Sequence, residues 1–80
     1  MNNNIELYNE IFIDVLGEDI SDFTALKYKE TEAWDSVAHI TLVSEIEEKF
    51  DISFEAEEIF EFMSYNDGIL ILKNNYNIKL

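Results

Sequence analysis

Apolar residues recur at three- and four-residue steps in four parts of the chain, which is the spacing of a buried α-helical face. The pattern predicts helices over residues 4–16, 36–50, 55–62 and 65–75. Gly17 is a natural stop for the first helix, and a connection of sixteen residues, 18–33, separates it from the second. We therefore predict an all-α fold, a small four-helix bundle with a long first loop and a short third helix, as a single domain over residues 1–80.

The second helix begins with chemistry that differs from the others. Asp35 is a good N-cap residue, and Ser36 follows it inside the first turn. Backbone N–H groups point outward there and the helix dipole is positive, so this end of the helix suits a phosphate group. The positions that we expect on the buried face of this helix are Val37, Ile40, Leu42 or Val43, Ile46 and Phe50.

The far end of the same helix carries acids that helix stability does not explain. Glu45, Glu47 and Glu48 lie where the dipole disfavours an anion by about 0.3–1 kcal/mol each. Glu45 and Glu48 also repel one another, although Lys49 gives Glu45 an ion-pair partner. This placement suggests a role outside the fold, namely contact with a basic partner.

The segments between the helices yield further expectations. Trp34 is expected to anchor the long loop in the core, with an exposed contact beside Ser36 as the alternative, and Ser21-Asp22 to start a short helical turn within the loop. Ser64 is expected to cap the last helix, and residues 78–80 to fray. We expect an acidic solvated surface on the third helix, formed by Glu55, Glu57, Glu58 and Glu61.

Composition excludes several classes of protein. A net charge of −13 over 80 residues disfavours nucleic acid and anionic membranes as partners, and favours basic protein surfaces. There is no Cys to form a disulfide or a zinc–thiolate site, and no signal-peptide or membrane-spanning pattern. No metal site is predicted, since the one candidate calcium loop has Ala56 and Phe62 where glycine and glutamate are required. We expect a cytoplasmic monomer.

The motif Asp35-Ser36-Val37, followed by Leu42 and by the run from Glu45 to Phe50, resembles the acyl carrier proteins. In that family the serine receives 4′-phosphopantetheine from coenzyme A through a phosphopantetheinyl transferase. The acidic helix after it is bound by acyl-loading and acyl-accepting enzymes with basic docking patches. The resemblance implies that Ser36 is the attachment site and that partners contact Asp35, Val37, Glu47 and Glu48.

Some positions depart from the family pattern. Ala33-Trp34 replaces the glycine that often precedes the motif, a form similar to stand-alone carriers of specialised pathways. Val37 replaces the usual leucine or methionine, and Ser44 stands at a frequent apolar position. The pathway, fatty acid, polyketide or another, is not determined by the sequence.

Three other functions remain open. A peptidyl or aminoacyl carrier protein would share the serine and the fold. An acidic helical interaction module would need only the charged surface, with Ser36 unmodified. A small hydrolase is the weakest alternative, because Ser36 and His39 have no evident third member of a catalytic triad and His39 is expected to be solvated. We therefore expect a carrier without enzymatic activity.

Overall fold

A computed structural model describes residues 3–80 of the chain. Its four α-helices are α1 (Asn4–Leu16), α2 (Ser36–Phe50), α3 (Ala56–Glu61) and α4 (Tyr65–Tyr76), with a 3-10 turn at Phe23–Ala25. The described part contains no strand. The all-α class, the four helices, the short third helix and the long first loop are therefore confirmed.

Local capping explains where the helices begin and end. Asp35 Oδ1 accepts a hydrogen bond from the Ala38 N–H at 2.9 Å, and Ser64 Oγ accepts one from the Asp67 N–H at 3.0 Å. Both predicted N-caps are thus confirmed. At the other ends α2 and α4 stop at Asp51 and Asn77 in left-handed conformations, with φ of 55° at each.

The core is built around aromatic rings. Trp34, Tyr8, Phe12 and Phe62 are completely buried, and Phe12 meets Trp34 edge-to-face at a centroid distance of 5.4 Å. Edge-to-face geometry places the positive rim of one ring on the negative face of the other. The anchoring role expected of Trp34 is confirmed, and it ties the end of the long loop to α1.

The predicted buried face of α2 is partly wrong. Val37 is 76% exposed and Ile40 is 59% exposed, whereas His39 is buried with Leu42, Val43 and Ile46. Apolar side chains lie on both sides of this helix, so their spacing gives the period of the helix but not its rotation. The inward face also holds His39, which bonds to Trp34 just before the helix and to Ile59 in α3.

Two other predictions are also wrong. Glu58 is not on the solvated acidic surface but is buried, because its carboxylate meets hydrogen-bond donors from α4. The C-terminal residues do not fray either. The Ile78 N–H donates to the Leu72 carbonyl at 3.0 Å, and both Ile78 and Leu80 pack partly buried against the core.

We expect three tyrosines to make the fold sensitive to alkaline pH. Burial raises the pKa of Tyr8 and of Tyr65, and burial together with the hydrogen bond to Glu58 raises the pKa of Tyr76 to about 12. A raised folded-state pKa means that the stabilisation is complete below pH 10 and is lost as pH rises toward 12. We expect the urea midpoint to fall over this range, and Tyr76→Phe to weaken the dependence. A midpoint that stays constant to pH 11.5 would contradict this.

Candidate functional site

Ser36 is the first residue of α2 and is exposed to solvent. The Asp35 cap fixes the start of the helix directly before it. The Ser36 hydroxyl oxygen lies 3.1 Å from the hydroxyl oxygen of Tyr28, a hydrogen bond in which either group can donate. The predicted site is therefore an accessible hydroxyl at a helix start, with a tyrosine beside it that sequence analysis did not identify.

The long loop is closed by backbone hydrogen bonds before it reaches Ser36. The Thr31 N–H donates to the Lys27 carbonyl and the Trp34 N–H donates to the Thr31 carbonyl, both at 2.9 Å. Lys29 adopts a left-handed conformation with φ of 68°, and its N–H donates to the Trp34 carbonyl at 2.9 Å. The segment that sequence analysis treated as an irregular loop is thus an ordered turn that delivers Ser36 to the surface.

The same loop is attached to the link between α3 and α4. The Tyr28 N–H donates to the Met63 carbonyl at 2.8 Å, and Lys27 forms an isolated antiparallel bridge with Ser64. The Tyr65 N–H donates to the Leu26 carbonyl at 3.1 Å. These bonds hold the Tyr28 backbone at a fixed place relative to the bundle.

His39 is buried rather than solvated, which corrects the sequence-based expectation. Trp34 Nε1–H donates to His39 Nδ1 at 3.0 Å, and His39 Nε2 lies 2.8 Å from the Ile59 carbonyl oxygen. Since the indole can only donate and the carbonyl can only accept, the imidazole is neutral with its proton on Nε2. Both ring nitrogens are occupied, so His39 is not arranged as a base for Ser36.

The bond from His39 to Ile59 brings α3 against the first turns of α2. It places the backbone of Phe60 beside α2, and the Phe60 side chain is 77% exposed. Val37 and Ile40 are exposed on α2 itself. We call these three exposed side chains, Val37, Ile40 and Phe60, the apolar patch; Val37 and Ile40 follow Ser36 by one and four residues along α2. Exposed apolar side chains are a feature of interaction surfaces when they adjoin one another.

Glu47 and Glu48, which were predicted to contact partners, lie further along α2 than Val37 and Ile40. Glu48 is eleven residues after Val37, so it shares the same helical face about 16 Å further along. Glu48 is exposed, while Glu47 is half-buried and accepts a hydrogen bond from the Phe54 N–H at 2.7 Å. Glu47 therefore stabilises the fold through this bond, a role that its place in the sequence did not indicate. Glu48, in contrast, is a surface residue.

The acidic surface is expected to make the fold depend on salt. With eighteen acidic residues and five basic ones, the folded chain concentrates like charge that the unfolded chain spreads out. We expect the melting temperature to rise as NaCl increases from 10 to about 500 mM, by roughly 4–8 °C for each kcal/mol of repulsion that is screened. A melting temperature independent of salt would show that the charges do not stress the fold.

A buried carboxylate joins α3 to α4 away from Ser36. Glu58 accepts hydrogen bonds from Asn75 Nδ2 at 2.6 Å, from the Glu55 N–H at 2.7 Å and from the Tyr76 hydroxyl. Burial acts to raise the pKa of Glu58, but these three donors outweigh it and hold the pKa below its usual value. The bond to Glu55 is half of a capping box, which was the one sequence signal available for this residue.

A cavity of about 530 Å³ opens between the end of α1 and the long loop. It has apolar walls from Leu16, Ile20 and Leu26 and a polar rim that includes Asp19 and Glu32. No signal in the sequence pointed to this cavity.

Within residues 3–80 there is no group of three or more side chains that could hold a metal ion, and no helix with the length and apolarity to cross a bilayer. Comparison with known protein families, curated proteins and solved structures gave no match to this chain. A functional assignment therefore depends on the motif around Ser36 and on the geometry described above.

Proposed function

We propose that this chain is a stand-alone acyl carrier protein, which holds acyl intermediates as thioesters on a 4′-phosphopantetheine arm attached to Ser36. The observation that carries the proposal is the exposed Ser36 hydroxyl at the first turn of α2, directly after the Asp35 cap. An ordered loop leads to it and an acidic helix follows it, as the resemblance in the motif implies.

The residues at this position fit the group. The hydroxyl is accessible, the first turn of α2 directs backbone N–H groups outward, and Lys29 adds positive charge near Tyr28. Ser36 Oγ would bond to the pantetheine-bearing phosphorus of coenzyme A as the bond from that phosphorus to the adenosine bisphosphate oxygen breaks. The Ser36 hydroxyl proton would pass to a base of the transferase. The arm supplies a thiol, which a chain without cysteine lacks.

The apolar patch and the acids along α2 fit a docking surface. An enzyme with basic side chains around a small apolar surface would pair with Glu48 and Asp35 while covering Val37. Charge of this kind raises association rates more than it raises affinity. Since Glu47 also bonds to Phe54, its substitution would disturb the fold as well as the surface. Glu48 is thus the clean test of docking.

A second candidate function is an unmodified acidic interaction module. The observation that favours it is the same apolar patch, because an exposed phenylalanine within an acidic surface can bind a basic protein without any group on Ser36. Binding that persists in Ser36→Ala, in a chain that no transferase modifies, would support this function. A peptidyl or aminoacyl carrier differs only in cargo and shares every feature above.

The proposal is tested by incubating the chain with coenzyme A and a broad-specificity phosphopantetheinyl transferase, then measuring intact mass. We expect one phosphopantetheine group on wild type and none on Ser36→Ala. Glu48→Gln should be modified to the same extent but more slowly, by a few-fold at low salt, and the difference should shrink as salt screens the charge. Absence of modification of the folded wild-type chain would contradict the proposal.

A further inference from the structure

Tyr28 is held so that its hydroxyl faces Ser36. Its backbone N–H is bound to Met63, and its ring lies against the His39 imidazole with a centroid distance of 4.7 Å. The imidazole is itself fixed by Trp34 and by the Ile59 carbonyl. The Tyr28 hydroxyl therefore reaches Ser36 Oγ at 3.1 Å from a framework that is already in place.

Lys29 places a cation against the Tyr28 ring. Its ammonium nitrogen lies 5.7 Å from the centroid of the Tyr28 ring, within the range of a cation–π contact. Only five basic residues occur in the chain, against eighteen acidic ones. Lys29 is thus one of few cations in an acidic chain, and it lies against the ring whose hydroxyl is hydrogen-bonded to Ser36.

The Asp35 carboxylate caps the same helix start and would repel an anionic group on Ser36. The groups that offset this repulsion are the backbone N–H groups of the first turn, the Tyr28 hydroxyl and the Lys29 ammonium. His39 faces the Tyr28 ring and is neutral in this arrangement, so it adds no charge.

We propose that Tyr28 is a positioning residue for a phosphate ester on Ser36: its hydroxyl donates to a phosphate oxygen, and Lys29 supplies the countercharge. Where the ester is the phosphopantetheine diester, this rests on the proposed function. The pair then directs the first bonds of the arm along the loop side of α2. A phosphate monoester on the same oxygen would engage the same two groups.

The experiment places a phosphate ester on Ser36 in two ways. In the first arm the transferase adds phosphopantetheine; in the second arm phosphoserine is incorporated at position 36 during synthesis of the chain, with no enzyme needed. Wild type is compared with Tyr28→Phe, which keeps the ring against His39 and removes only the hydroxyl. Tyr65→Phe is the matched control, since it also loses one hydroxyl, from a bond to Asn9.

Phosphorus-31 NMR detects the contact between the phosphate on Ser36 and the Tyr28 hydroxyl. A phosphoserine phosphate ordinarily loses its second proton, and becomes a dianion, near pH 6. A donor that favours the dianion lowers this pKa, so we expect wild type to titrate about half a unit or more below Tyr28→Phe. Lys29→Gln should raise the pKa of the phosphate, as Tyr28→Phe does. Lys73→Gln removes an equal charge from an exposed position of α4 and should leave this pKa unchanged. The diester resonance should move in Tyr28→Phe and stay in Tyr65→Phe.

The outcomes separate this inference from the proposed function. Equal phosphorus shifts and equal titrations in wild type and Tyr28→Phe would overturn the role of Tyr28, whether or not the transferase acts. If the transferase adds nothing but the phosphoserine arm shows the Tyr28-dependent shift, the proposed function fails and the phosphate contact stands. In both arms circular dichroism must show that the variants are folded.

Discussion

Replacing Gly68 with alanine is expected to destabilise the fold by about 1–3 kcal/mol, although alanine is the better helix former. Gly68 lies inside α4 at its contact with α1. A Cβ there would stand 2.0 Å from the Tyr8 hydroxyl oxygen and 2.7 Å from Phe62 Cε1. Tyr8 and Phe62 are both completely buried, so neither has room to retreat. A domain of this size has roughly 4–12 kcal/mol of stability in total, so the loss is severe.

Urea unfolding followed by circular dichroism measures this effect. Asn74→Ala, at an exposed position of the same helix, is the matched control and should be neutral or slightly stabilising. Adding Tyr8→Phe to Gly68→Ala removes the nearest atom of the clash and should recover about 1 kcal/mol or more of the loss, a non-additive result. If Gly68→Ala proved as stable as wild type, α1 and α4 would be further apart than described.

Replacing His39 with leucine is expected to cost about 2–4 kcal/mol while keeping the side-chain volume similar. The change leaves the buried Trp34 indole N–H and the partly buried Ile59 carbonyl without their partner. Each unsatisfied buried group costs about 1–3 kcal/mol. The loss should also loosen α3, since the bond to Ile59 is its attachment to α2.

A double-mutant cycle isolates this cause. In a Trp34→Phe background the indole N–H is absent, so His39→Leu should cost at least about 1 kcal/mol less than it does in wild type. Urea midpoints of the four chains give the coupling. Equal costs in the two backgrounds would mean that the hydrogen bond between Trp34 and His39 contributes nothing to stability.

The helices were predictable because their signals are local. Asp35 and Ser64 cap α2 and α4 through bonds to residues only three positions away, and Gly17 ends α1 where φ of 113° favours glycine. Each signal depends on neighbours in sequence. The sequence is therefore sufficient to locate Ser36 at the start of a helix.

The rotation of α2 was not predictable from the same information. Val37 and Ile40 are apolar yet exposed, and His39 is polar yet buried. The observed rotation lets His39 bond to Trp34 and to the Ile59 carbonyl, which is twenty residues away in the sequence. The spacing of apolar residues carries no information about a partner so distant in the sequence. The exposed apolar patch, which the proposed docking role uses, follows from this rotation.

The residues that surround Ser36 were not predictable from the sequence either. Tyr28 reaches it through a turn whose closure depends on Lys29 in a left-handed conformation, which is unusual for lysine. Glu58 was predicted to lie on the acidic surface. Its hydrogen-bond partners Asn75 and Tyr76 belong to a different helix, so they were not apparent from the residues around Glu58. Residue types along a segment show what a side chain can do, and only the packing shows what it meets.

The most direct test of the carrier assignment is the intact mass of the folded chain after incubation with coenzyme A and a phosphopantetheinyl transferase. A known carrier in the same tube shows that the enzyme is active, and Ser44→Ala controls for loss of a serine elsewhere on α2. The account predicts one phosphopantetheine on wild type and on Ser44→Ala, and none on Ser36→Ala. An unmodified wild-type chain beside a fully modified control would contradict it, and the acidic interaction module would take its place.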